Sequence, residues 1–333
     1  MNMLDTTLRK LYYQYVGLSM SVFSRRPIGT NVFQREWDVL LILDTCRVDA
    51  LLEVAPEYDF ITNVDSIISV GSCSPEWIGC TFTEKYSEEI EDTIYISANA
   101  FAERVLGDRQ FPDSNRGLSW SNWKTVTGDE LLELDQPWKY APDPPHGHIR
   151  PEHLTDRAIA NAREHDPDRL IVHYSQPHPP YTANADAEGR ELKDYERDPR
   201  SYLKEGGDFE KVWEAYLDNL RLVLDEVGTV LQNMDAKTVA ISADHGEAFG
   251  EWGVYWHLAG LPHPKLKKVP WVITSAEDSG EFEPSLEPAK PRKDVHKHLQ
   301  DLGYIEEADQ AEKIDPDEAK APGANAGPNR QDN

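Results

Sequence analysis

The run Val39-Leu40-Leu41-Ile42-Leu43, entered from Asp38, constrains this chain more than any other stretch. Apolar residues in unbroken succession lack the alternation of a half-exposed strand. They fit a strand covered on both faces, at the centre of a parallel sheet. The run ends at Asp44, and Arg47 to Val54 reads as a helix. Three more strands of this kind are Leu170 to Tyr174, Thr238 to Ser242 just before Asp244, and Val269 to Ile273. Between the second and third lies a helix from about Phe209 to Asn233. Its apolar positions Val212, Tyr216, Leu220, Val223, Leu224, Val227 and Leu231 recur at helical spacing. Strands alternating with helices predict an α/β sandwich with a mixed, mostly parallel central sheet flanked by helices.

A length of 333 residues suits one large α/β domain with additions. Lys and Arg total 34 against 60 Asp and Glu, a net charge of −26. Such a field repels nucleic-acid phosphates and anionic membranes, and no local basic patch overrides it, so nucleic acid is excluded as a partner. The same charge gives a strongly solvating surface of the kind that serves proteins in high salt. Three cysteines, Cys46, Cys73 and Cys80, cannot build a disulfide framework. The N-terminus lacks the apolar stretch and cleavage site of a signal peptide, and no apolar run reaches membrane-spanning length. These features predict a cytoplasmic enzyme.

Three segments organise the chain. Residues 1–35 form an N-terminal helix and linker, 36–304 the catalytic domain, and 305–333 an acidic tail without large apolar anchors, expected to be disordered. In the first, Leu8, Leu11, Tyr12, Tyr15, Val16, Ser19, Val22 and Phe23 make a helical stripe flanked by Arg9, Lys10, Arg25 and Arg26. We read it as packed on the domain or a partner, the alternative being peripheral contact with a membrane surface. Residues 137–153, with five prolines, read as a long irregular loop carrying His146, His148 and His153.

In α/β sheets, ligands gather beyond the carboxyl ends of the strands. Asp44 and Asp244 both stand there, and His245 follows the second. Carboxylates and an imidazole converging at strand tips are the parts of a divalent-metal site. A third element, Gly71-Ser72-Cys73-Ser74-Pro75, reads as a helix start with proline in the first turn, its backbone N–H groups available to an anion. Ser72, Cys73 and Ser74 can each act as a nucleophile. Cys46 and Cys80 read as small buried hydrophobes, and His173, inside a strand, as a satisfied core residue. Trp77, Trp252 and Trp256 flank the motifs, as core or as platforms for a sugar or aryl group.

Together these stretches resemble the sulfatase-like members of the alkaline phosphatase superfamily. Asp38 to Leu51, DVLLILDTCRVDAL, resembles the family's opening strand and first metal motif. ISADHGEAFGEWGVYWH, followed by LKKVPWVI, resembles its second. HYSQPHPPY resembles the segment with a substrate-facing histidine, and AYLDNLRLVLDEVGTVL the long helix ahead of the second metal motif. These stretches lie in family order over residues 36 to 275.

The resemblance implies an alkaline-phosphatase-like sandwich and metal-dependent cleavage of a small-molecule or glycan sulfate or phosphate ester through a covalent intermediate. It implies Asp44, Asp244 and His245 as ligands to one divalent ion, and Cys73, two residues before Pro75, as nucleophile. Ser72 or Ser74 takes that place if the turn differs by one residue. It also implies His178 and His257 as contacts to the anionic group, and Lys265, or Lys267 or Lys268, as a neutralising charge. The chain departs from the sulfatase pattern at Thr45 and His245, where a second aspartate and an amide are usual. It departs again at Trp77, where the motif directing conversion of cysteine to formylglycine has arginine. The candidate ions are Mn, Zn, Mg and Ca, and imidazole in the set suits Zn or Mn better than Ca. The alternatives are a transferase moving a phospho-headgroup onto a glycan or lipid, and a non-catalytic member of the family.

Overall fold

The computed structural model describes residues 3–114, 118–142, 146 and 149–289. The strands are β1 (Val39–Leu43), β2 (Asp65–Ile68), β3 (Thr93–Ser97), β4 (Glu133–Asp135), β5 (Arg169–Tyr174), β6 (Ala236–Ser242) and β7 (Lys268–Ala276). They form one sheet ordered β2-β7-β6-β1-β5-β3-β4. From β6 to β4 all neighbours are parallel, while β7 runs antiparallel to both β6 and β2. The sheet is therefore mixed and mostly parallel, as the apolar runs predict. All five residues of β1 are buried, which is why that strand needs no polar face.

Helices cover both faces: α1 (Met3–Phe23), α2 (Val48–Val54), α3 (Ser74–Thr81), α4 (Ser87–Glu91), α5 (Pro151–His165), α6 (Ala183–Glu188), α7 (Asp194–Arg197), α8 (Pro199–Lys204), α9 (Phe209–Leu231) and α10 (Pro264–Lys267). The long helix α9 buries Val212, Tyr216, Leu220, Val223, Leu224 and Val227, the expected stripe. The sequence reading missed β2, β3, β4 and α5. The expected loop over 137–153 is corrected at its end, because Pro151 sits in the first turn of α5 and His153 lies inside that helix. The imidazole of His146 lies 3.6 Å from Asp186, and His148 falls outside the described residues. So do residues 305–333, on which the expected tail falls.

The stripe on α1 divides. Val16 and Met20 are buried, and the Tyr15 hydroxyl donates to the Gly260 carbonyl at 2.5 Å, fastening the helix to the 258–261 loop. Leu11, Leu18 and Val22 point outward and are about half exposed, at 57%, 48% and 56%. No described helix is long and apolar enough to cross a membrane.

Candidate active site

The carboxyl ends of β1, β5 and β6 meet in register. Ile42 pairs with His173 on one side and Ser242 on the other, so Asp44 and Asp244 emerge side by side. The turn after β1 carries Thr45 at φ 67°, a left-handed conformation that costs a non-glycine residue about 1–3 kcal/mol. Three hydrogen bonds hold it there. The Tyr216 hydroxyl donates to the Thr45 carbonyl at 2.9 Å and accepts from the Arg47 amide at 3.0 Å. The Thr45 amide itself donates to Asp244 Oδ1 at 3.3 Å. At about 1 kcal/mol each these offset the strain. The turn thus couples the first aspartate to the second.

Each carboxylate is anchored through one oxygen. Asn99, just past β3, donates to Asp44 Oδ2 at 3.1 Å, while Oδ1 lies 3.6 Å from His245 Nε2. Asp244 Oδ1 accepts from the Thr45 and His245 amides. Asp244 Oδ2 faces His245 Nε2 at 3.3 Å and His173 Nε2 at 3.5 Å. Burial pushes the Asp244 carboxyl up, but the His245 and His173 imidazoles and the Ser74 hydroxyl outweigh it and hold it well below the usual carboxylate range. His245 Nδ1 lies 2.9 Å from the Gly246 carbonyl, which can only accept. The proton is therefore on Nδ1, and the Nε2 lone pair points into the centre, the tautomer of a metal ligand. Gly246 is required where it stands, since a Cβ there would collide with the Lys265 carbonyl.

At the helix start over 71–75, Cys73, Ser72 and Ser74 meet three different surroundings. Cys73 is the cap residue of α3, and burial pushes its thiol well up, with Glu76 adding to the shift. The Ser72 hydroxyl is occupied by Glu76 Oε2, the Leu258 carbonyl and the Leu261 amide. Ser74 Oγ sits 3.2 Å from His245 Nε2 and is wholly buried.

A second group of imidazoles adjoins the first. His257 lies with its ring 4.5 Å from His245 and 5.1 Å from His178, and Trp256 stacks on His257 at 4.5 Å. Burial, then the neighbouring imidazoles, lowers both His178 and His257 well below the ordinary histidine range. His257 Nδ1 is 2.9 Å from Glu247 Oε2, and burial pushes that carboxyl up to about 8. His178, His257 and His245 thus lie in one cluster of rings.

The lysine expectation meets a different arrangement. Lys265 Nζ is paired with Asp49 at 2.5 Å, within a network that also holds Arg47. Lys267 lies in the field of Glu76, Cys80 and Cys73, and its own burial lowers its pKa. Of the tryptophans, Trp77 is core with its ring edge-on to His173, Trp252 is 78% exposed, and Trp256 lies against His178 and His257. His173 is not merely a core residue: Asp44, His173 and Asp244 offer ligand atoms within 4.8 Å of one another. Together with Asn99 and Ser74 it is what sequence reasoning missed or ranked low.

No family model matches the chain, and no curated protein does. Solved structures do. The integral membrane lipooligosaccharide phosphoethanolamine transferase A of Neisseria meningitidis is 17% identical, with TM-score 0.48 over 78% of this chain and 51% of that one. The C-terminal periplasmic domain of the phosphoethanolamine transferase EptC of Campylobacter jejuni is 18% identical, with TM-score 0.41 over 71% and 78%. A putative sulfatase of Bacteroides thetaiotaomicron is 11% identical, with TM-score 0.42 over 82% and 72%. This chain spans about half the length of the first. The expected cytoplasmic placement is corrected by the same findings, since the matched structures include an integral membrane protein and a periplasmic domain.

Proposed function

We propose that the protein is a metal-dependent hydrolase of sulfate or phosphate esters that works through a covalent intermediate on Ser74. The observation that carries this reading is the placement of the Ser74 hydroxyl at 3.2 Å from His245 Nε2, beside two buried carboxylates. Asp44, Asp244 and His245 would hold one divalent ion. Ligand bonds of about 2.1 Å put neighbouring donors about 3.4 Å apart on a tetrahedron. The separations from His245 Nε2 to Asp44 and Asp244 are 3.6 and 3.3 Å. When bound, the ion supplies Lewis-acid stabilisation of developing charge and favours the ionised hydroxyl.

Ser74 Oγ attacks phosphorus or sulfur, and the ester oxygen leaves with the bonding pair. His178, with Nδ1 bonded to the Pro179 carbonyl, turns Nε2 to accept a proton rather than to donate one. That suits activation of the water that then releases the acid. Trp256 and His257 wall the site and exclude bulk solvent. An unmodified hydroxyl at 74 makes a formylglycine at Cys73 unnecessary. The test compares Ser74→Ala with Cys73→Ala on aryl phosphate and aryl sulfate esters at matched metal content. Ser74→Ala is expected to lose at least about 10³-fold in kcat, and Cys73→Ala far less. The reverse ranking would return the role to Cys73.

A second reading, transfer onto a lipid or glycan alcohol, is favoured by the outer face of α1. Leu11, Tyr15, Leu18 and Val22 lie exposed at helical spacing, with exposed Lys10, Arg25 and Arg26 at the ends. Such a face suits peripheral contact with anionic lipid. It sits on the 258–261 loop, whose Gly260 amide donates to Glu76, two residues from Ser74. Acceleration by an added alcohol acceptor, together with sedimentation on anionic vesicles, would select this reading over hydrolysis.

A further inference from the structure

We infer that Arg200 grips a second anionic group of the substrate, carried by the alcohol that leaves, and so selects which esters are cleaved. The inference rests on the ester-cleaving reading above and deepens it by naming the substrate class. The class is sulfate or phosphate esters whose alcohol bears an oxyanion of its own.

Arg200 stands in the first turn of α8 and is half-buried. Among the described residues it makes no hydrogen bond and no ion pair, in a chain whose net charge is −26. Its guanidinium lies instead over the Trp256 ring, at 6.0 Å. A cation–π contact compensates only in part for the water that such a group gives up, and it leaves the N–H donors of the fork unspent. Glu247 lines the same cleft, but its oxygens are used: Oε1 accepts from the Ala248 amide at 3.0 Å, and Oε2 lies 2.9 Å from His257 Nδ1. Lys265, the cation expected here from the motif, is committed to Asp49.

The indole joins this guanidinium to the reaction centre. Trp256 lies 4.5 Å from the His257 ring and 5.2 Å from that of His178, and His257 lies 4.5 Å from His245. Trp256 holds its place at φ 98°, a left-handed backbone, fixed by the bond from its amide to the Ala248 carbonyl at 2.8 Å. Strain of this kind gathers at ligand clamps and active sites. Arg200 and Trp256 line one narrow cleft with Pro179, Tyr181 and Phe249. The steps of 6.0 and 4.5 Å through the indole place the fork beyond the imidazoles. An anion held there belongs to the alcohol rather than to the group being transferred. The planar fork takes two oxygens of a carboxylate, sulfate or phosphate, and the indole offers a flat face to the ring that carries it.

The experiment uses the metal-loaded full chain and 4-nitrophenyl phosphate or sulfate, whichever is turned over, beside its 3-carboxy derivative. It reads the ratio of kcat/KM, carboxylated over parent. Intrinsic reactivity is common to every form of the enzyme, so a change in the ratio reports on the protein. Arg200→Gln is expected to lower the ratio by at least about tenfold, and Arg200→Lys by less, since an ammonium keeps the charge without the fork. An arginine with only a structural role would lower both rates together, and an unchanged ratio in Arg200→Gln overturns the inference. If Arg200→Gln does not fold, Arg200→Lys decides by the same criterion. Should wild type turn over neither ester, the catalytic reading falls on its own, and calorimetric titration with phenylphosphonate and 4-carboxyphenylphosphonate decides instead. Tighter binding of the carboxylated ligand that Arg200→Gln loses upholds the inference, and equal binding of the two, or none, overturns it.

Discussion

Asp135 and Asp244 are both buried aspartates at the ends of parallel strands, and their surroundings are opposite. Asp135 closes β4 against a guanidinium: Arg157 Nε donates to it at 2.7 Å, and the Tyr140 hydroxyl adds a bond at 2.6 Å. Its charge is neutralised by the protein itself. Among the described residues no guanidinium or ammonium pairs with Asp244, whose neighbours are backbone amides, the Ser74 hydroxyl and two imidazoles. A buried carboxylate with its own arginine is a structural clamp. One whose second oxygen faces ring nitrogens is arranged for a cation from outside.

The largest expected effect breaks the comparison at Asp244. Asp244→Asn should abolish zinc or manganese binding and reduce ester turnover by at least about 10³-fold. The metal-free variant should melt lower than metal-free wild type, because the neighbours that hold the Asp244 carboxyl below the usual range stabilise its ionised form in the fold. Adding metal at a hundredfold excess over its Kd should stabilise wild type by about 2.7 kcal/mol and leave the variant unmoved. Calorimetry with and without chelator measures both. A variant stabilised by metal as strongly as wild type would show that Asp244 is not a ligand.

This contrast was only half legible in the sequence. Asp44 and Asp244 could be found because each follows an unbroken apolar run, and such runs announce both a central strand and the edge where ligands gather. The run that holds His173 carries the same signal, but a histidine inside it reads as a satisfied core residue. Only the register of β5 against β1 and β3 brings it level with the aspartates. Asn99 was hidden because β3 was not recognised, although Ile94, Tyr95 and Ile96 are good strand formers. Helix α5 was hidden by its polarity, with Leu154, Ala158 and Ile159 its main buried apolar residues. The choice among Ser72, Cys73 and Ser74 turns on a rotation of about 100° per residue at a helix start, which spacing from Pro75 does not resolve.

A smaller effect tests the other half of the comparison. Arg157→Leu would leave Asp135 buried with the Tyr140 hydroxyl and the more distant Asn161 amide. The expected cost is about 3–5 kcal/mol in denaturant unfolding. Metal affinity of the folded fraction should stay within about twofold of wild type. Loss of metal in step with stability would mean that the two carboxylates are not independent.

The smallest effect sharpens the distinction at Asp44, the partner of Asp244. Its Oδ2 is held by Asn99 Nδ2 at 3.1 Å, and that bond fixes which oxygen faces His245. Asn99→Ala removes the donor without removing a ligand. Asn99 also uses its own side-chain oxygen to accept from the Phe101 amide at 3.0 Å, so some stability is lost as well, about 1 kcal/mol. The diagnostic change is in binding. With the carboxylate free to rotate, metal affinity should fall by about tenfold, the range found for residues that orient ligands. Asn99→Asp separates the two roles. It keeps an acceptor for Phe101 but places a second carboxylate against Asp44, so it should bind metal no more weakly than the alanine variant only if an added negative charge compensates for lost orientation. Chelator competition on the three proteins ranks them. Equal affinity of Asn99→Ala and wild type would mean that Asp44 is oriented by the metal alone and that Asn99 serves only the turn after β3.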